Sequence, residues 1–452
     1  MKSDRVLKYV FLGVAALICL LLTPFILSFA SGKTASFLWG LPSLMIFLAG
    51  AAFLFFGTEE RKEPLSLLAF AGVLAVLMLT LLARISLLPN VTTDFAEYIN
   101  IWLQYIREMP GTQSLTEDFA NYNMPYLYLL FGIGKLLPYR AYMYAVKVFS
   151  VLFDYVLAFF VMKLVGLKLP GKTARICSFF AALLVPSVIV NSAMWGQCDS
   201  VFAALALVGL YFGLKDRSKA CWAFFALALS FKLQTVFLLP AVLLLLFAKK
   251  IRIRDIWVFF AVFIGTLIPA MLAGRGIVSC LSIYWNQANS YSELSMLAPN
   301  VFSWLPTGTK SNIPVTAAGI FVAGTVVLGF LLYLYLQRKT LDNDRIFRAS
   351  LIFALMIPFL LPLMHDRYFY LADTLAVVYL FYRPKRWYIP GMICISSFLC
   401  HAAYLFNTTV IPTYVLSFFI LGALCLLLKE LISGTEKENP RLVSSGESLN
   451  GR

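Results

Sequence analysis

MWGQCDS, Met194 to Ser200, closes one long apolar run and opens another. A turn between two such runs needs polar residues and a turn former, and Gly196 with Ser200 supplies both. Trp195, Gln197 and above all Asp199 exceed that need. Whether the heptad is a surface loop of a globular protein or a break between membrane segments decides the fold, and its flanks settle the matter.

Across the 452 residues, 61% are hydrophobic, 13% are charged and the mean hydropathy is +0.84. That is too apolar for a water-soluble globule and places the chain among membrane proteins. Val6 to Ala30, Ala35 to Phe56 and Leu65 to Leu88 each reach the roughly 20 residues a helix needs to cross a hydrocarbon core. Strands of a barrel would alternate polar and apolar instead, so the expected class is an all-α polytopic membrane protein. The first run is too long for the core of a signal peptide and reads as a retained span. The eight cysteines are scattered without a CxxC pair, which indicates neither disulfides nor zinc.

The net charge of +15 does not gather in one patch. Basic residues fall in short loops, at Lys2 to Lys8, Arg61 and Lys62, Lys163 to Arg175, Lys215 to Lys219, Lys249 to Arg254, Arg338 to Arg348, Arg383 to Arg386 and after Lys429. Such a pattern marks cytoplasmic loops and speaks against nucleic acid. Putting all of them inside gives about 14 transmembrane helices with both termini cytoplasmic. It also requires an even number of crossings between Lys219 and Lys249, met by two short helices joining at Phe231-Lys232-Leu233-Gln234.

Six segments follow. Residues 1–88 form an N-terminal three-span segment and 89–140 a first outer loop with juxtamembrane helices, in which the short apolar run MPYLYLLFGIGKLLP (Met124 to Pro138) re-enters or lies along the surface. A central transmembrane bundle covers 141–273, a second outer loop 274–314 and a C-terminal bundle 315–432. Residues 433–452 read as a disordered cytoplasmic tail.

On this topology the unusual polar stretches share the outer side, and polar groups at that depth are functional or paired. Asp94 can take a proton from a hydroxyl, while Lys232, His365 and Arg367 can hold phosphate oxygens and stabilise charge on a leaving phosphate. No phosphate loop and no HExxH pattern occurs.

The order of motifs resembles the GT-C fold of integral-membrane glycosyltransferases, in particular the bacterial polyprenyl-phosphate-sugar-dependent, mannosyltransferase-like family. The stretches that carry the resemblance are TTDFAEYINIW (Thr92 to Trp102), NYNMPYLYLL (Asn121 to Leu130), NSAMWGQCDS (Asn191 to Ser200), FKLQ (Phe231 to Gln234), SELSMLAPNVFSWL (Ser292 to Leu305) and MHDRYFYLAD (Met364 to Asp373). The resemblance implies an active site on the extracytoplasmic side of the cell membrane, with Asp94 as catalytic base. It implies a hexose donor on polyprenyl (undecaprenyl) phosphate, a glycan, lipid-linked saccharide or protein acceptor, inversion at the anomeric carbon, and no obligatory metal or other cofactor. Two departures are a single Met124-Pro125 where the family carries a proline pair, and three spans before the catalytic loop where one is common.

Each candidate has a plainer role. Asp94 and Asp199 could cap helices, Lys232 could snorkel, Asp366 could merely neutralise Arg367, and Glu97 and Asp118 could be solvated loop acids. The donor-phosphate set is Lys232, His365, Arg367 and Arg275. Substrate contacts are expected from Trp195, Gln197, Asp199, Gln234, Tyr291, Asn300, Glu97, Asp118 and Tyr126, with His401 a weaker candidate. A lipid-linked saccharide flippase, or a ligase or polymerase using a pyrophosphate-linked donor, would need similar outer cations.

Overall fold

The computed structural model describes residues 2–31, 44–46, 66–288 and 291–437. Among the described residues seven helices are long and apolar enough to cross a membrane: Leu7–Ser28, Leu67–Leu87, Tyr139–Gly166, Ile253–Ala273, Ile313–Leu336, Tyr388–Leu405 and Thr413–Ser433. The bent pair Lys172–Leu183 and Pro186–Trp195 makes an eighth if it is one broken span. The chain is therefore a helical, multi-pass membrane protein. Three further helices, Asp199–Leu214, Ser218–Phe231 and Leu233–Phe247, are apolar but fall short of spanning length. The run Ala35 to Phe56 lies almost wholly outside the described residues, as does the tail from residue 438; the last helix continues to Lys437, past the expected boundary at Ser433.

Two compact units divide the chain. The first comprises 1–204 with 267–280 and the second 205–266 with 281–452. In the first, helix α1 (Lys2–Ser31) packs on α2 (Leu67–Leu87), whose start is fixed by Ser66 accepting a bond from the Ala69 amide at 3.2 Å. Pro89 prevents α2 from continuing, and Lys147 donates to the carbonyls of Leu88 (2.9 Å) and Asn90 beyond its end. The polar loop then forms a π-helical turn, Phe95–Ile99, running into α3 (Asn100–Glu108). Helix α4 (Met124–Leu136) covers the short apolar run. At 13 residues it rises about 20 Å, less than the roughly 30 Å of a hydrocarbon core.

Helix α5 (Tyr142–Gly166) packs on α6 (Lys172–Leu183). Pro186 cannot continue α6, so the chain bends by 55° into α7 (Pro186–Ile189) and a second π-helical segment, Val190–Trp195, before α8 (Asp199–Leu214). A buried ion pair fastens this turn: Arg84 of α2 meets Asp154 of α5 at 2.8 Å, Ser192 donates to the same carboxylate oxygen at 2.6 Å, and Arg84 also donates to the Leu183 carbonyl at 2.9 Å. With both charges fully buried, such a pair survives only because its hydrogen bonds are made.

In the second unit α9 (Ser218–Phe231) and α10 (Leu239–Phe247) form a hairpin. Their far ends are tied together, since Lys250 pairs with Asp216 at 3.1 Å, the Arg252 amide donates to Ser218 at 2.9 Å, and the Trp222 indole donates to the Arg252 carbonyl at 3.2 Å. Lys232 stands at the tip in extended backbone between the two helices, where the sequence placed the junction. Helix α11 (Trp257–Ala273) leads through α12 (Ile277–Ala288) to β1 (Ser295–Met296), followed by α13 (Ile313–Leu336) and α14 (Asn343–Leu360). Strand β2 (Met364–His365) pairs in parallel with β1, placing Ser295 opposite Met364 and Met296 opposite His365. Helices α15 (Tyr370–Tyr382), α16 (Tyr388–Leu405) and α17 (Thr413–Lys437) complete the unit. Ile346 to Phe359 of α14 is buried nearly all round, so α14 is the core helix of the unit.

Candidate functional site

In the first unit the polar stretches converge on Asp94. Its Oδ2 accepts from the Trp195 indole nitrogen at 2.9 Å and from the Gln197 amide nitrogen at 2.7 Å. Tyr122 donates its hydroxyl to Gln197 Oε1 at 2.9 Å, and Thr92 donates to the Trp195 carbonyl at 3.2 Å. Three of the stretches singled out in the sequence thus meet at one carboxylate.

Asp94 makes no side-chain capping bond and already has helical backbone angles, which removes the capping explanation. The two π-helical segments among the described residues border this contact, one following Asp94 and the other ending at Trp195. Wide turns of this kind recur where a helix must re-aim a functional side chain. Gly196 then reverses the chain in the left-handed region (φ 79°), which lets residues on either side of it address the same oxygen.

Asp199 is buried, accepts from Asn191 at 2.9 Å and stands in the first turn of α8, where a carboxylate complements the helix dipole. Through Asn191 it braces the turn that carries Trp195 and Gln197. Tyr126 is buried beneath Tyr122 with ring centroids 4.5 Å apart, and Glu97 is exposed on the π-helical turn.

Arg275 ties α12 to the first outer loop. Its Nε donates to Ser279 at 3.1 Å, its Nη1 to the Glu117 carbonyl at 2.9 Å, and its Nη2 to Asp118. Burial pulls its guanidinium below the ordinary value. Arg275 and Asp118 therefore anchor the 113–123 loop. Tyr105 donates to Glu117, and that hydrogen bond pushes the phenol upward.

The second unit gathers another cluster. The β1–β2 pairing joins the SELSMLAPN and MHDRYFY stretches, with Leu297 and Leu363 flanking it at φ 54° and 63°. Such angles are uncommon for a side chain branched at Cγ and are tolerated where surroundings over-determine the backbone. His365 is packed against Tyr291 (5.8 Å), Tyr368 (6.1 Å) and Tyr404 (6.1 Å), and Tyr291 and Gln234 both engage the Tyr368 hydroxyl. Burial, the Tyr291 hydroxyl and its hydrogen bond hold the Tyr368 phenol well above its usual range, against the pull of Arg367 and Gln234.

Both histidines of the chain address Asp366. His365 Nδ1 bonds to Oδ1, and His401 Nδ1 lies 3.9 Å from Oδ2 while also facing the Ser397 carbonyl at 2.7 Å. Burial alone would raise the Asp366 carboxyl, but His365, His401 and Arg367 overcome it and hold it below its ordinary value. Asp366 and His401 are the residues that sequence reasoning undervalued. Arg367 and Lys232 are largely buried cations of this unit.

Asn300 is fully spent on the fold. Its Oδ1 accepts from the Phe302 and Ser303 amides at 3.1 Å each, and its Nδ2 donates to the Leu361 carbonyl at 3.1 Å. Asn300 thus caps the turn Val301–Trp304. Among the described residues no group of three His, Cys, Asp or Glu side chains is arranged to hold a metal. Neither family models, nor curated proteins, nor solved structures match this chain.

Proposed function

We propose that the protein is an inverting glycosyltransferase that moves a hexose from a polyprenyl phosphate to an acceptor hydroxyl at the outer face of the membrane. The observation that carries the reading is the fixed carboxylate of Asp94, held by Trp195 and Gln197 in a polar loop where it makes no capping bond.

In this reaction Asp94 accepts the proton of the acceptor hydroxyl as its oxygen forms the new bond to the anomeric carbon. The bond from that carbon to the phosphate oxygen breaks, and its electron pair leaves with polyprenyl phosphate. Lys232, His365 and Arg367 supply positive charge for the phosphate, which gains a negative charge as it departs. Gln234, Tyr291 and Tyr368 supply hydroxyl and amide groups beside those cations. Each of the six stretches on which the family resemblance rests contributes a residue to one of the two clusters, or, for Asn300, to the frame of one.

Asp94→Asn tests the base directly. The amide keeps the shape, and its carbonyl oxygen can still accept from Trp195 and Gln197, but it cannot take a proton. With the purified protein in liposomes, undecaprenyl-phosphate hexose as donor and a cell-envelope extract as acceptor, transfer should fall by at least about 100-fold, the usual share of general base catalysis. Donor binding should persist. Full transfer rates in this variant would remove Asp94 from the role.

A further inference from the structure

Resting on the transferase reading, we infer that the acceptor is a neutral oligosaccharide, held by an aromatic row that leads to Asp94. The helical stretch from Phe95 to Glu108 has two faces. Phe95, Ile99, Leu103 and Ile106 are buried, while Tyr98, Trp102 and Tyr105 recur at helical spacing on another side. Tyr98 is 53% exposed, and its ring lies 6.2 Å from that of Trp102.

Aromatic side chains at this position in a membrane protein are ordinarily an interfacial belt facing lipid headgroups. A belt would end in lipid. This row turns inward: Trp102 meets Tyr122 edge-on at 5.8 Å, and the Tyr122 hydroxyl is the group that holds Gln197 against Asp94. The row is thus continuous, by contact and hydrogen bond, with the carboxylate proposed to activate the acceptor.

The chemistry of the row selects its occupant. One face of a pyranose presents weakly positive C–H groups, which match the negative face of an aromatic ring. Successive rings about 6 Å apart suit successive sugars better than a single one. Charge narrows the class further. From residue 91 to 123 the loop carries Asp94, Glu97, Glu108, Glu117 and Asp118 against Arg107, whose guanidinium turns away to the Leu137 carbonyl and the Tyr142 hydroxyl; with Arg275 paired to Asp118 and Lys135 on the Met109 carbonyl, the balance stays acidic. An anionic saccharide or an acidic peptide would meet repulsion along this path, and a neutral glycan would not.

The test measures binding and transfer separately, with the full-length protein in lipid nanodiscs. Probes are cellotetraose, maltotetraose and mannotetraose, tetragalacturonate as an anionic counterpart, and a Ser/Thr-containing hexapeptide, each followed by saturation-transfer NMR and titration. At least one neutral tetrasaccharide should bind, and Tyr98→Ala and Trp102→Ala should each weaken it about tenfold while Trp102→Phe retains most of the affinity. Asp94→Asn should bind it as wild type does. Tyr98 is exposed, so its variant keeps the test open should Trp102→Ala fail to fold.

Failure of all three neutral tetrasaccharides to bind, unchanged affinity in both alanine variants, or preference for tetragalacturonate or the peptide would overturn the inference. Tetrasaccharide binding through Tyr98 and Trp102 with no hexose transferred from the polyprenyl donor would instead sink the transferase reading and leave the saccharide site standing.

Discussion

Trp195 and Gln197 explain themselves only through a partner 101 and 103 positions away in the chain. The sequence marks both as excessive for a turn, and it marks Asp94 as a possible base, but nothing local in either stretch states that they bond. Gly196 is the residue on which that bond depends. An alanine there would adopt φ 79° at a cost of about 1–2 kcal/mol, with its Cβ 3.1 Å from Lys147 Cγ. Gly196→Ala should therefore lower stability by about that amount in thermal unfolding and reduce transfer by more than the unfolded fraction accounts for. Equal losses would mean that the turn has only a structural duty. Lys147 was not legible for a different reason: a lysine near the end of a span looks like any snorkelling cation until its acceptors, the carbonyls of Leu88 and Asn90, are seen.

At the level of elements, the short parallel pair β1–β2 and the turn after it show how much pattern can and cannot reveal. Both stretches were recognised as polar interruptions, and the hairpin at Lys232 followed from charge counting and length alone. The pairing between them was not visible, because two-residue strands carry no periodicity. Convergence of His365 and His401 on Asp366 was equally hidden, since His401 sits within an apolar helix and looks like a core histidine. That convergence predicts a pH dependence. The folded Asp366 carboxyl lies below the ordinary 3.8, so its ionised form contributes stability above that value and loses it as the pH falls through the lowered one. Asp366→Asn should thus be less stable than wild type at neutral pH, with the difference closing only below pH 3.8 in parallel denaturation curves. Equal stability of the two proteins at neutral pH would remove this role of Asp366. In the same region, Asn300→Ala should cost about 1 kcal/mol by uncapping the turn Val301–Trp304, and Asn300→Asp should recover most of it, as read by thermal unfolding.

For the molecule as a whole, an external reaction stands or falls on the side of the membrane that the loops occupy, and a single helix offers the cleanest reading. Helix α13 has 24 residues and rises about 36 Å, enough to cross the hydrocarbon core with its ends in water. Lys310 precedes it in the loop that pairs with the Leu294 region, and Arg338 and Lys339 follow it. On the proposed topology, with the Arg338 to Arg348 cluster in the cytoplasm by the positive-inside bias, Lys310 is expected outside. Lys310 also belongs to the segment that positions Tyr291 against His365, so its side reports the side of the cationic cluster. With the exposed Cys177 and Cys425 replaced by serine, a membrane-impermeant maleimide should label Lys310→Cys in intact cells and Lys339→Cys only after permeabilisation. The reverse pattern would turn the cluster toward the cytoplasm, where nucleotide-activated sugars rather than polyprenyl-linked ones are the accessible donors, and the proposed donor would have to be abandoned with it.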